Sequence, residues 1–499
     1  MDTKLKYKEH IARAASKGLE AVMELRRLRG LSPLTARQLF TSTVAPVVDY
    51  ASNVWMHEIK PRTACAINRV QRIGAQAIVG TFSTVATSIA EAEAHIATAQ
   101  DRFWRRAVKL WTDMHTLPET NPLRSATSRM RRKFKRFYLS PFHQVADALK
   151  DIHMDSLETI NPFTLAPWEK RTQTITDEAA TELAHGGASV RIAVSSSARN
   201  GVVGIGGAIE IQASPKSDLT AETFSSTLGT RTDQNPYSGE LSAMATALSR
   251  LPRLRYRNIV LLTRSKSAAL TIRQPQQQSS QEQVRRFYET VRALRREGNT
   301  MRVVWLPSCE ESELLKLAKE KAKAVTRQGA TPQMQLPNMR STTLRIARAK
   351  RETTTALPEN IGRHSKRVDT ALPGKHTRQL YDRLTRKEAG VLAQLRTGMA
   401  RLNGYLHRID VAESDQCACG QARETVDHFL FRCTKWTAYR SEMLQCTDVH
   451  RSNMSFYLGG KSPSDDKNWM PNMEAVCVTI RFAIATGRLD ASQPQEETP

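Results

Sequence analysis

Four residues in the C-terminal third of the chain have types and spacing suited to binding a metal ion. They follow the pattern C-x-C-x8-H-x4-C, and they are Cys417, Cys419, His428 and Cys433. Three thiolates and one imidazole suit a tetrahedral Zn²⁺ ion, and Gly420 permits a tight backbone turn. We predict a closed structural zinc site, with Cys446 as a substitute ligand. The C-x-C start of the motif is one residue shorter than the usual C-x2-C start. The alternative is therefore that these cysteines bind no metal and pack in a small core.

The chain that carries this motif is strongly basic. Its 499 residues hold 74 Lys+Arg against 49 Asp+Glu, a formal net charge of +25. Such a surplus predicts a polyanionic partner, namely nucleic acid (an RNA–DNA hybrid, RNA or DNA), because each neutralised phosphate releases a condensed counterion. A basic surface that serves only solubility is the alternative.

The most basic segment is RSATSRMRRKFKRF at residues 124–137, which contains no acid. Phe134 and Phe137 lie among the charges, as in segments that contact phosphates and stack on bases. The candidate phosphate contacts are Arg131, Arg132, Lys133, Lys135 and Arg136, and a solvated linker is the alternative. Four tryptophans are candidates for base stacking, although a core or interface position is favoured for each: Trp168, Trp305, Trp436 and Trp469.

Cysteine content and hydropathy indicate the compartment. Seven cysteines are too few for a disulfide scaffold, and three of them cluster, which favours metal binding in a reducing environment. The N-terminus has no apolar signal-peptide region, and no stretch of 18 apolar residues occurs. We therefore expect no membrane association and an intracellular location, in the nucleus or the cytoplasm.

Hydrophobic periodicity divides the chain into six regions. Residues 1–120 show helical spacing, and 121–187 form a basic linker. Residues 188–328 read as three strands followed by alternating helices and strands, βββαβαβα, which predicts an α/β domain. A second basic linker covers 329–372, a helical region with the metal motif covers 373–488, and the tail 489–499 has a disordered composition.

The βββαβαβα order with a Gly-rich first hairpin resembles ribonuclease H. The matching segments are Val194-Ser195-Ser196-Ser197, Ser238-Gly239-Glu240-Leu241, Thr263-Arg264-Ser265 and the entry into Leu317-Ala318-Lys319-Glu320. This resemblance implies a mixed five-stranded sheet with flanking helices. It also implies that the protein cleaves the RNA strand of an RNA–DNA hybrid. In that family four carboxylates bind the two Mg²⁺ ions that the reaction needs.

The flanking regions resemble parts of the polyprotein of fungal LINE-like (non-LTR) retrotransposons. LRRLRGLSPLTARQLFTSTVAPVVDYASNVW and RVQRIGAQAIVGTF are similar to the helical segment after the palm of the reverse transcriptase, QLRTGMARLNGYLHRI and CACGQARETVDHFLFRC to the zinc-knuckle-like tail. The resemblance implies a protein derived from a transposable element. No Tyr/Phe-x-Asp-Asp motif is present, so polymerase activity is not predicted.

The residues at the four implied carboxylate positions argue against catalysis. They are Ser195, Glu240, Arg264 and Leu315, so only Glu240 is an acid. A pair of unit charges 4 Å apart is worth about 4 kcal/mol at an effective dielectric constant of 20, and a guanidinium reverses the sign. We therefore predict a pseudoenzyme that binds nucleic acid, with Arg264 either contacting a phosphate or exposed in a loop. The alternative is an active hybrid ribonuclease with a rearranged set of acids.

The glycines of Val203-Gly204-Ile205-Gly206-Gly207 do not form a dinucleotide-binding motif. They lie within a predicted hairpin and not at a turn from a strand to a helix. We predict that they permit a close approach of another backbone.

Overall fold

A computed structural model describes residues 6–59, 61–132, 141–161, 165–176, 180, 188–212, 219–333, 336–352, 357–450, 452–462, 464–466 and 468–490. The chain divides into two compact units. A helical unit comprises Met1–Ala107 and Arg351–Pro499, and a sheet unit comprises Val108–Lys350. This division differs from the predicted succession of regions, because the two ends of the chain share one unit.

The first part of the helical unit contains seven helices, the last of which crosses the division between the units. They are α1 (Lys8–Arg27), α2 (Pro33–Leu39), α3 (Ala45–Val48), α4 (Ser52–Trp55), α5 (Pro61–Val79), α6 (Thr87–Ala94) and α7 (Ala99–His115). The sequence predicts one continuous helix over 34–55, which is wrong. A π-helical turn, Phe40–Val44, separates α2 from α3, and Pro46 follows it without an N–H for the next helical hydrogen bond.

The sheet unit is a mixed α/β structure. Its helices and strands are α8 (Pro122–Arg132), α9 (Pro141–Ala148), β1 (Gln173–Ile175), β2 (Val190–Arg199), β3 (Val202–Gln212), β4 (Leu219–Thr230), α10 (Pro236–Ser249), β5 (Asn258–Thr263), α11 (Lys266–Arg273), α12 (Gln281–Arg296), β6 (Thr300–Trp305), α13 (Glu313–Ala324) and α14 (Arg340–Glu352). The strand order is β1-β6-β5-β2-β3-β4. Strands β2, β3 and β4 pair antiparallel, whereas β5, β6 and β1 extend the sheet in parallel from β2.

The predicted α/β class is confirmed, but the predicted number of five strands is wrong. The additional strand β1 lies in the segment 121–187, which the sequence analysis interprets as a linker. Its three residues pair with Arg302, Val303 and Val304 of β6. A strand this short has no detectable alternation of polar and apolar residues, so it could be recognised only from its partner.

The two faces of the sheet carry different helices. Alternate residues of each strand point to opposite faces. Ile192 and Val194 of β2 pack with residues of α10, α11 and α12, whereas Ala193 of β2 packs with Leu315 and Ala318 of α13. Whether a side chain of β2 packs against α10, α11 and α12 or against α13 therefore depends on its position along the strand.

Helix α13 lies unusually close to strand β3. A Cβ atom on Gly206 would lie 2.3 Å from the backbone nitrogen of Ala322 and 2.6 Å from the carbonyl oxygen of Ala318. Only glycine leaves room for this contact between backbones. The predicted structural role of the glycines in residues 203–207 is confirmed.

The second part of the helical unit contains seven more helices. They are α15 (Arg363–Val368), α16 (His376–Asp382), α17 (Arg386–Thr397), α18 (Asn403–Leu406), α19 (Thr437–Gln445), α20 (Met454–Tyr457) and α21 (Met473–Ala485). Leu392 of α17 and Phe482 of α21 share one hydrophobic core with Val22 of α1 and Phe40. No helix in the described ranges has both the length and the apolar character that a membrane span requires.

A buried ionic network joins the two parts of the helical unit. The guanidinium of Arg396 donates to Glu93 Oε2 (2.8 Å) and to Asp369 Oδ2 (2.7 Å), and none of these three side chains is exposed. It also donates to the carbonyl oxygen of Leu458 (2.7 Å). Tyr381 donates to the same oxygen of Glu93 at 3.0 Å. The side chain of Arg396 thus connects two parts of the helical unit that are more than 300 positions apart in sequence.

We expect Arg396→Met to lower the free energy of unfolding by about 3–5 kcal/mol, because it leaves the buried carboxylate of Glu93 without a cation and that of Asp369 with His376 alone. Chemical denaturation measures this change. The control is Arg27→Met, which removes an exposed pair with Glu24 and is expected to cost less than about 1 kcal/mol. Equal stability of the two variants would contradict a structural role for the network.

Candidate functional site

Two of the four predicted metal ligands lie on one tight turn. Gln416 and Arg423 form a short antiparallel bridge, and the backbone N–H of Gly420 donates to the carbonyl oxygen of Cys417 at 2.8 Å. Gly420 has a φ of +75°, a left-handed conformation that glycine adopts without strain. The turn therefore brings Cys417 and Cys419 to the same side of the backbone.

The other two ligands are joined by a π-helical turn over His428–Arg432. The N–H of Cys433 donates to the carbonyl oxygen of His428 at 2.8 Å, so residues five apart lie one above the other. Phe429 and Leu430, inside this turn, are fully buried, as the sequence predicts. Their burial anchors the turn in the core of the helical unit.

The four side chains converge on one point. Their ligand atoms all lie within 4.8 Å of one another. Sγ of Cys417 is 3.5 Å from Sγ of Cys433, and Sγ of Cys419 is 3.2 Å from Nε2 of His428. A zinc ion with Zn–S bonds of about 2.3 Å and tetrahedral angles needs edges of about 3.5–3.8 Å, so the cluster can hold a metal ion and is compatible with zinc.

The electrostatic environment of the cluster differs between its cysteines. Burial raises the pKa of the Cys417 thiol to about 12, whereas the backbone N–H of Gln421 lowers the pKa of Cys419 to about 6. Arg440 donates to the carbonyl oxygen of Cys433 at 2.7 Å and so fixes the backbone next to the cluster. The substitute ligand Cys446 is not part of the cluster, because its thiol donates to the carbonyl oxygen of Met443.

Glu240 is buried in the second turn of α10, with 4% of its surface exposed. Thr263 Oγ1, at the end of β5, donates to its carboxylate at 2.6 Å. Helix α10 begins with a capping box in which Asn235 is the N-cap and Ser238 is the third helical residue. The sequence favours Ser238 as the N-cap, which is wrong, because Asn235 takes that position.

The serine that faces Glu240 is Ser196 and not Ser195. Ser196 Oγ donates to the carbonyl oxygen of Pro236 at 2.8 Å and hydrogen-bonds to Glu240. Ser195 shares its strand face with Ala193 and therefore lies on the side of α13. The predicted match is displaced by one residue, and in a strand one residue changes the face.

The other two implied carboxylate positions also lie away from Glu240. The guanidinium of Arg264 donates to the carbonyl oxygens of Pro307 and Glu310, so it holds the loop after β6. Its side chain is half-buried. Leu315 is buried against the opposite face of the sheet.

Glu240 therefore lies among hydroxyl groups. Burial raises its pKa to about 7, although hydrogen bonds from Thr263 and Ser196 act in the opposite direction. Among the described residues, the cysteine–histidine cluster is the one group of three or more His, Cys, Asp or Glu side chains spaced to bind one ion. Glu240 has no such set of partners there.

The predicted basic segment falls largely outside the described residues. Arg131 and Arg132 end helix α8, and Lys133, Lys135 and Arg136 lie beyond the described range.

A second basic surface, which the sequence analysis missed, lies at the C-terminal end of α12. We call it the basic-aromatic end, and it consists of Trp168, Lys170, Arg171, Arg253, Arg255, Tyr256, Arg295 and Arg296. Trp168 and Tyr256 are 88% and 86% exposed, so Trp168 is not a core residue. Exposed rings of this size among arginines are unusual in a chain with 6% aromatic residues.

Contacts with residues 292–297 bring these side chains together. Arg295 donates to the carbonyl oxygens of Lys170 and Arg171. The carboxylate of Glu297 accepts from Arg253 (3.3 Å) and Arg255 (3.0 Å). Residues near positions 170, 255 and 295, from three separate segments, are therefore in contact at this end of α12.

The ring of Tyr256 has a fixed position in the basic-aromatic end. Its residue adopts a left-handed φ of 53°, and its N–H donates to the carbonyl oxygen of Glu297 at 3.2 Å. A Cβ atom on Gly298 would lie 2.6 Å from the ring, so glycine provides the space for it. The backbone thus presents the tyrosine to solvent in one orientation.

We expect the purified full-length chain to contain one zinc ion. Replacing both Cys417 and Cys433 with serine should remove the ion and lower the melting temperature, because two thiolate ligands are lost. Metal analysis and thermal unfolding measure the two effects. The control is Cys309→Ser, an exposed cysteine of the sheet unit. Unchanged metal content in the double variant would refute this set of ligands.

We expect Glu240 to make the protein less stable as the pH rises. Its pKa in the folded protein, about 7, exceeds its ordinary value of 4.5. The contribution of Glu240 to the free energy of unfolding is therefore complete below pH 4.5 and is lost as the pH rises to about 7. Relative to Glu240→Gln, the wild type should lose about 3 kcal/mol of unfolding free energy between pH 4 and pH 8. Denaturation at a series of pH values measures the difference.

The matched control for this experiment is Glu282→Gln, because Glu282 is well exposed. Its pH dependence should equal that of the wild type. If Mg²⁺ restored the stability of the wild type at pH 8 but not that of Glu240→Gln, a metal would bind the ionised carboxylate, and our interpretation would be wrong.

Comparison with known proteins gives no relative for this chain. A scan against models of protein families finds no match, and a search among curated proteins finds no similar sequence. The function therefore has to be inferred from the chain's own residues.

Proposed function

We propose that this chain is a nucleic-acid-binding protein, derived from a non-LTR retrotransposon, with a ribonuclease H-like sheet unit that does not cleave. A structural zinc ion would stabilise its C-terminal region. The observation that carries the proposal is the basic-aromatic end, where two exposed rings lie among arginine and lysine side chains.

The topology of the sheet supports the ribonuclease H-like part. Strands β2 to β4 form an antiparallel meander, and β5 and β6 add in parallel on the other side of β2. This arrangement agrees with the mixed five-stranded sheet that the resemblance implies, with β1 as an additional edge strand. Glu240 lies on the helix after the meander, next to the end of β5.

The chemistry of the basic-aromatic end supports nucleic acid as the partner. Aromatic rings stack on bases, and guanidinium groups bind phosphate through paired hydrogen bonds. Nucleic acid offers both groups at a short repeat, whereas an acidic protein offers carboxylates without bases. Single-stranded regions fit best, because their bases are free to stack on Trp168 and Tyr256.

The surroundings of Glu240 support binding without cleavage. Two Mg²⁺ ions need several carboxylates to offset their charge, and here the nearest partners are the hydroxyls of Ser196 and Thr263. A carboxyl group with a pKa of about 7 is largely protonated below neutral pH and is a weak ligand. The site lacks the charge that hydrolysis requires.

We expect Trp168→Ala and Tyr256→Ala each to weaken binding of a single-stranded oligonucleotide by about 1–3 kcal/mol, which is the usual contribution of base stacking. Fluorescence anisotropy at several salt concentrations measures the affinity. The matched control is Tyr50→Ala, because Tyr50 is an exposed tyrosine of the helical unit. An unchanged affinity in both variants, or a log–log salt slope near zero, would overturn the proposed binding.

A labelled RNA–DNA hybrid tests the second half of the proposal. We expect no cleavage in Mg²⁺ or Mn²⁺ by the wild type. Cleavage that Glu240→Gln abolishes would establish the alternative, an active hybrid ribonuclease.

A further inference from the structure

A cavity of about 250 Å³ lies inside the helical unit, between the end of α5, the start of α17 and the end of α21. Its lining combines apolar and basic side chains. They include Phe82, Arg386, Val391, Gln394, Arg401 and Ile484. The cavity shares no residue with the cysteine–histidine cluster, the surroundings of Glu240 or the basic-aromatic end.

The charges around this cavity do not balance. Lys387 pairs with Asp490 at 3.2 Å on its rim. The other two cations are Arg386 and Arg401, and among the described residues neither forms an ion pair with a carboxylate. Burial lowers the pKa of Arg386 from its usual value. Two half-buried guanidinium groups thus line one cavity, and the one carboxylate that lines it among the described residues, that of Asp490, is paired with Lys387.

The fold holds both guanidinium groups in place. Arg386 donates to the carbonyl oxygen of Gln76 at 2.7 Å, at the end of α5. Gly80 has a φ of +81°, and a Cβ atom there would lie 2.3 Å from the nitrogen NH1 of Arg386. Arg401 lies over the ring of Phe82, with its guanidinium carbon 5.8 Å from the ring centre.

We propose that this cavity binds a phosphate monoester group, either of a mononucleotide or of the phosphorylated end of a nucleic-acid strand. Guanidinium groups match phosphate oxygens through paired N–H donors. Helix α17 begins at the cavity, but the carboxylate of Glu388 caps its N-terminus, so the positive charge at the cavity comes from the arginine side chains. Phe82, Val391 and Ile484 form an apolar wall that suits a flat organic group on the ester.

The size of the cavity limits the ligand. Small-molecule pockets usually exceed about 300 Å³, so this cavity admits a phosphate with a small attached group and excludes a large dinucleotide cofactor. A bare carboxylate would leave the apolar wall unused. The proposed site does not depend on the proposed nucleic-acid surface, because it lies in the other unit.

Calorimetric titration of the full-length chain with AMP, inorganic phosphate and adenosine tests this proposal. We expect AMP to bind, phosphate to bind more weakly and adenosine not to bind. Arg401→Gln should weaken AMP binding at least tenfold, and Arg401→Lys should weaken it less because it keeps the charge. The control is Arg27→Gln, an exposed arginine of α1.

Two short oligonucleotides, with and without a 5′-phosphate, identify the source of the phosphate. They are titrated into a variant that lacks the Trp168 and Tyr256 rings, so that the basic-aromatic end contributes little. Binding of the phosphorylated strand that depends on Arg401 assigns the site to strand ends, and binding of AMP alone assigns it to free nucleotides. Both results support the proposal.

Three results would overturn it. They are AMP binding to Arg401→Gln as tight as to the wild type, equal binding of adenosine and AMP, and no binding of AMP at millimolar concentration. If Arg401→Gln failed to fold, Phe82→Leu would replace it as the test, because the loss of the ring should weaken AMP more than inorganic phosphate.

Discussion

A charge that a protein buries must be balanced by a group of opposite charge, or else lose its own charge. This constraint governs every site in the chain. Arg396 satisfies it internally, because Glu93 and Asp369 surround its guanidinium. Glu93 belongs to the first part of the helical unit and Asp369 to the second. The ion pairs that balance the charge of Arg396 therefore also hold these two parts together.

The same constraint separates the sites that need a ligand from those that do not. Glu240 has no buried cation beside it and becomes neutral near pH 7, with hydroxyl partners that suit a protonated acid. Cys417, Cys419 and Cys433 would bind a metal ion as thiolates, and the ion would offset their negative charge. Arg386 and Arg401 keep their charge, because guanidinium stays protonated, and the proposed phosphate group would offset it.

Features that depend on local spacing could be predicted from the sequence, whereas features that depend on tertiary contacts could not. The cysteine–histidine cluster follows from a motif within 17 residues, Cys417 to Cys433, and the buried strands β5 and β6 follow from their apolar runs. The sequence match names Ser195, whereas Ser196 faces Glu240. This difference shows the limit of prediction from sequence, because an error of one residue moves a strand side chain to the other face. The basic-aromatic end joins residues near positions 170, 255 and 295, and no local pattern predicts that these segments meet.

The metal cluster and the arginine cavity are linked by one salt bridge within the helical unit. Glu424, which follows the short bridge beside Cys417, accepts from Arg488 Nε at 2.9 Å and from the backbone N–H of Asn403 at 2.6 Å. Arg488 lies between Gly487 and Leu489, which both line the cavity. Glu424 is buried, so the pair is shielded from water and resists separation. The pair of Glu424 and Arg488 therefore connects the turn that carries Cys417 with the segment that forms one wall of the cavity.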